Sequence, residues 1–118
     1  DDYFASARLT RQQARDSAIS LLQEAAAQEG ADQSVADEAS LGIQTLASYT
    51  LAEAQIENLV TAKGYADCVA FMGEESISIV VSKDDGSDMT AEDVAKITDI
   101  AITETGYDAS GIKIVPAN

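Results

Sequence analysis

The sequence contains no histidine and no tryptophan, a single cysteine, a single proline and few bases. Each shortage excludes something. Without histidine, a Ser-His-Asp triad, a Cys-His dyad and the common zinc sites cannot be assembled within the chain. Cys68 stands alone and cannot form an internal disulfide. That does not settle the compartment, because an extracytoplasmic bacterial domain can lack disulfides too. No apolar run approaches the length of a bilayer span, and no signal-peptide pattern is visible. The 7 bases face 21 acids, for a formal net charge of −14. A surface of that sign repels phosphate backbones and anionic lipid, which makes nucleic acid a poor partner.

What is present is enough for one modest core in 118 residues. Residues 50–115 read helix, strand, strand, helix, strand. Thr50 and Glu53 have the spacing of a capping box, in which the hydroxyl and the acid each satisfy a free backbone N–H. Ala52, Ile56, Leu59 and Val60 then share a helical face, and Gly64 supplies the stop. The same grammar returns at Thr90 and Asp93, with Val94, Ile97 and Ala101 as the stripe and Gly106 as the stop. Between the helices lie two short apolar runs joined by Gly73-Glu74-Glu75. In 66–72 the inward positions are read as Val69 and Phe71, with Cys68 and Ala70 on the other face. In 76–82, Ile77, Ile79 and Val81 point inward, while Val80 interrupts the polar face and marks a place where it is covered. The short spacing predicts an antiparallel hairpin. Residues 112–115 form a third strand ending at Pro116, whose neighbour in the sheet is not legible. The expected core is Ile56, Leu59, Val69, Phe71, Ile77, Ile79, Val81, Val94, Ile97, Ala101, Ile112 and Ile114.

Residues 1–49 predict a helical arm of two helices. Residues 1–29 are poor in Gly and Pro, with Phe4, Ala7, Ala14, Ala18, Leu21 and Ala25 recurring at three and four. All three arginines, Arg8, Arg11 and Arg15, fall on one stripe of this helix. They form either a solvated face or a membrane-proximal or partner-facing patch. Ser34 and Asp37 suggest a second start, and Val35, Ala39, Ile43 and Leu46 continue to about residue 48 despite Gly42. The fold class is therefore α+β. It is a two-layer sandwich of three strands under two helices in 50–118, preceded by a helical arm.

No chemistry emerges from the motifs. Glu74/Glu75, Asp84/Asp85/Asp88 and Glu92/Asp93 lie in turns and at a helix start, where acids are expected, and lack EF-hand spacing. The α-β-β-α-β order is KH-like, but the Gly-x-x-Gly loop and basic groove of RNA-binding KH modules are missing. No catalytic residue, metal ligand or cofactor is expected. An open three-stranded sheet does have two edges with unpaired backbone groups. Ile112, Lys113, Ile114 and Val115, or else the strand carrying Ser78 and Val80, are the candidate partner-binding residues. A metabolite-binding regulatory sandwich is the alternative, and an apolar pocket with converging polar groups would favour it.

From Ile56 through Leu59-Val60, Lys63-Gly64-Tyr65 and Asp67, the sequence resembles the stage III sporulation protein AH family of endospore-forming bacteria. The resemblance continues through Val69, Phe71, Val80-Val81, Val94, Ile97, Asp99-Ile100, Glu104-Thr105-Gly106 and Ile112-Lys113-Ile114. It implies a ring-building domain similar to those of type III secretion rings, self-associating and non-enzymatic. It also implies a single membrane anchor upstream of Asp1 and a location between mother cell and forespore. The partner implied is the forespore protein stage II sporulation protein Q, within a channel joining the two cells.

Overall fold

The structure is a computed structural model of the chain and describes residues 2–28, 30 and 32–117. Among these residues three α-helices and three strands follow in the order α1 (Asp2–Ala27), α2 (Gln33–Ala62), β1 (Asp67–Met72), β2 (Ile77–Ser82), α3 (Ala91–Thr105) and β3 (Ile112–Pro116). A 3-10 turn, Ala109–Gly111, introduces β3. The chain divides into two compact units, Asp1–Thr50 and Leu51–Asn118.

In the first unit α1 and the start of α2 run antiparallel. Leu22 lies against Gly42, where an added Cβ would stand 3.0 Å from the Leu22 Cδ1, and Arg15 reaches forward to Thr50. That close approach explains the glycine, which costs a helix about 1 kcal/mol against alanine. The helix starts at a different cap from the one expected at Ser34 and Asp37. Asp32 does that work, its carboxylate accepting from the Val35 N–H at 3.4 Å and from the Ser34 hydroxyl at 3.0 Å. The expected apolar row of α1 is only partly kept, because Ala14 and Leu21 are exposed while Phe4 is buried.

The expected break at Tyr49-Thr50 does not occur, and α2 is one helix of 30 residues. Thr50 sits in its interior and donates its hydroxyl to the Leu46 carbonyl at 3.0 Å. Nothing local forces a stop: Ala47, Ser48 and Tyr49 contain neither Gly nor Pro, so propagation wins over capping.

In the second unit the sheet order is β1-β2-β3, with β1 antiparallel and β3 parallel to the central β2. The register sets Cys68 opposite Val81, Ala70 opposite Ile79 and Met72 opposite Ile77. On β3 it places Ile112 beside Ile77 and Ile114 beside Ile79. These residues form the helix-facing side of the sheet and build one core with Ile56, Val60, Tyr65, Ile97 and Ala101. The inward face of β1 is thus Cys68 and Ala70, the reverse of the expected one. A strand that is apolar on both faces carries no period-2 signal, and small residues let α2 approach closely. Val69 and Val80 face each other on the opposite side and are buried there as well. Val94, expected in the core, is 40% exposed. Helix α3 opens with the expected Thr90–Asp93 capping box and closes at Gly106, whose φ of 74° suits only a residue without a Cβ.

Candidate functional site

The two edges of the sheet are treated differently. On the β1 edge the outward N–H groups of Cys68, Ala70 and Met72 all end on carboxylates. They donate to Asp67 at 2.8 Å, Glu57 at 2.9 Å and Glu53 at 2.8 Å. Glu53 and Glu57 come from α2, one turn apart, which matches the spacing of alternate residues on an adjacent strand. Glu53 is fully buried. An edge whose donors are taken in this way cannot receive another strand.

The β3 edge has no such cover among the described residues, yet it is short. The Ala117 N–H donates to the Val81 carbonyl at 2.9 Å. Because strand residues alternate in direction, Lys113 and Val115 also turn their amides to β2, while Ile112, Ile114 and Pro116 turn outward. Of these, the Ile112 N–H is used by the Ala109 carbonyl and proline has none. The Ile114 N–H and the outward carbonyls are what this edge presents. Ser78 and Val80, the other candidates, lie on the central strand and offer no edge; Val80 is also buried. Lys113 is exposed beside Ser78 on the face away from the helices.

The arginine stripe is not a solvated face. Arg8, Arg11 and Arg15 are half-buried, and all three are engaged within the chain. Arg15 donates to the Thr50 hydroxyl at 3.0 Å and lies 6.0 Å over the Tyr49 ring. The helix row to which they belong continues through Ala18 and Leu22, positions that spacing alone marks as apolar and inward.

A polar network that sequence reasoning missed centres on Asp93, the acid of the α3 capping box. Besides the Thr90 N–H at 2.9 Å and hydroxyl at 3.0 Å, it accepts from Tyr65 at 2.7 Å and pairs with Lys83 at 2.8 Å. The Lys83 ammonium, ahead of the Thr90 amide and the Tyr65 hydroxyl, holds the Asp93 carboxyl well below the ordinary carboxylate range. Lys83 is raised in turn by Asp93. Burial, reinforced by the Asp93 hydrogen bond, pushes the Tyr65 phenol up to about 12. The spacing of Lys83 and Asp93 in sequence gave no signal of this pairing.

The network borders a cavity of about 220 Å³ lined by Lys63, Gly64, Tyr65, Lys83, Asp84, Asp85, Asp93 and Lys96. Three lysines and three aspartates balance there, so it selects neither anion nor cation, and it lacks the apolar lining of a metabolite pocket. Among the described residues no cluster of acids, cysteine or histidine could hold a metal ion. None of the described helices is long and apolar enough to cross a membrane.

The sequence matches the SpoIIIAH-like protein family over residues 1–114. The fold is similar to a chain of the solved SpoIIQ-SpoIIIAH pore forming complex. The TM-score is 0.79 and the identity 22%, covering 99% of this chain and 100% of that one. It is also similar to the type III secretion system protein EscJ of enteropathogenic E. coli. There the TM-score is 0.56 and the identity 19%, covering 64% of this chain and 49% of that one. Comparison with curated proteins returned no match.

Proposed function

The chain belongs to the SpoIIIAH-like protein family, and from that premise we propose that it is a non-enzymatic structural component of a channel-type, secretion-like complex between mother cell and forespore. In this reading a membrane helix upstream of Asp1 holds it in the mother-cell membrane, and the domain stands in the intermembrane space. There it self-associates and engages a forespore partner of the SpoIIQ type, by analogy with the pore forming complex that pairs SpoIIQ with SpoIIIAH. The observation that carries the reading is the family match across residues 1–114.

In this proposal the partner meets the β3 edge, Ile112 to Val115, a reading supported by the carboxylates of Glu53, Glu57 and Asp67 on the other edge. With few free donors on this edge, side chains beside it, including exposed Lys113, carry a share of the contact. The test is Lys113→Glu, with pull-down of a SpoIIQ-type extracytoplasmic domain and circular dichroism on the same sample. Affinity should fall by about fivefold, the size of a rim charge near 1 kcal/mol. An intact spectrum with undiminished capture moves the contact off β3.

A further inference from the structure

Helix α3 divides its surface unusually for so acidic a chain. Its charged residues Glu92, Lys96 and Asp99 lie on one flank, and Asp93 and Glu104 turn toward the interior. The remaining face carries Ala91, Val94, Ala95, Thr98 and Ile102, which share it because positions three, four, seven and eight apart fall together on a helix. Val94 is 40% and Ile102 38% exposed, and the two alanines are exposed as well. This face holds no charge, in a domain whose formal charge is −14 over the whole chain.

Its position follows from the topology. Lys96 lines the cavity with Lys63, at the end of α2, so that flank of α3 turns toward α2. The uncharged face lies on the other flank, the side of β3, against which α3 packs. Since β2 and β3 are parallel and α3 is the crossover between them, α3 runs back along β3. Ile102 therefore lies toward the Ile112 end and Val94 toward the Pro116 end. The exposed apolar flank lies on α3 itself and is distinct from the Ile112–Pro116 strand beside it.

We infer that this uncharged flank of α3 is the docking surface for a second copy of the chain. It deepens the self-association proposed above and rests on it. The occupant is argued from charge. Two copies that each carry −14 repel wherever acids face acids, and an uncharged face is where they can meet at least electrostatic cost. A cationic partner would instead gain by lying over carboxylates, which this face lacks. Small residues at Ala91 and Ala95 admit close approach, and exposed Val94 and Ile102 supply apolar area.

The experiment is sedimentation equilibrium of the full chain across concentration and salt. The wild type should associate weakly at low salt and more strongly near 1 M salt, where the Debye length falls to about 3 Å and repulsion is screened. Val94→Asp and Ile102→Lys should each weaken association about tenfold with unchanged circular dichroism. The second lowers the net negative charge, so its loss cannot be bulk repulsion. Asp99→Asn, on the charged flank, should leave association equal or stronger. A wild type that stays monomeric at high salt overturns the inference, as do folded Val94 and Ile102 variants that associate like wild type. Capture of the SpoIIQ-type domain, measured on the same variants, separates the two readings. Lost self-association with retained capture supports this surface and leaves the partner site untouched. Lost capture with retained self-association assigns the α3 flank to the partner and overturns it.

Discussion

Thr50-Leu51-Ala52-Glu53 and Thr90-Ala91-Glu92-Asp93 carry nearly the same local signature and end in different roles. At Thr90 the box forms in full, with hydroxyl and carboxylate each satisfying the other's backbone. At Thr50 the hydroxyl bonds back to Leu46, and the acid leaves the helix altogether to hold the Met72 amide of β1. What differs is what comes before. Gly86, Ser87 and Asp88 precede the first helical turn of α3 and cannot sustain a helix, whereas Ala47, Ser48 and Tyr49 can. A capping signature acts only where the chain already has to start, and elsewhere its residues are free for tertiary work. The extra methylene of Glu over Asp gives Glu53 the reach to a neighbouring strand, while Asp93 stays close to its own cap.

The contrast can be broken by substitution. The largest effect is expected at Glu53. Glu53→Ala leaves the half-buried Met72 amide of β1 without its acceptor and should cost about 1–3 kcal/mol in urea unfolding. Glu53→Gln keeps an acceptor and should cost less; equal losses would mean that the β1 cap is not what the side chain contributes. Next comes Thr90→Ala, which removes a working N-cap and should cost about 1 kcal/mol by the same assay. If Thr90→Ala proved neutral, the box at α3 would be no more than a coincidence of spacing.

Asp93 sharpens the contrast through pH. Its carboxyl is depressed below the ordinary 3.8, so its contribution is present above that value and is lost as pH falls below it. Tyr65 is raised, so its contribution is intact below pH 10.0 and disappears as pH climbs through about 12, and the raised Lys83 acts in the same direction. Thermal melts of the wild type against Asp93→Asn should differ at neutral pH and converge at both extremes. Curves that stay parallel would remove the Tyr65–Asp93–Lys83 network from the stability of the domain. The smallest effect is expected at Thr50→Ala. It places a better helix former inside a continuous helix and gives up one hydroxyl contact with Arg15, for a net change within about 0.5 kcal/mol. A loss as large as that of Thr90→Ala would restore Thr50 as a cap.

Some of this was determined by sequence alone, because its causes are local. The helix start at Thr90, the stops at Gly64 and Gly106, the inward row Ile77-Ile79-Val81 and the covered position Val80 follow from spacing and from the one residue without a Cβ. Motifs along most of the chain likewise pointed to the family that the match over residues 1–114 establishes. What depended on partners distant in sequence was decided only by tertiary structure. Which face of β1 is inward followed from its register on β2, since both faces are apolar. The place of β3 followed from a crossover whose far end no local pattern marks. The arginines lie half-buried because their surroundings hold the guanidinium groups, a fact that spacing on one helix cannot carry. The closing of one sheet edge by Glu53 and Glu57 is of the same kind. Two acids a helical turn apart look like any exposed pair until the fold brings alternate amides of a strand beside them.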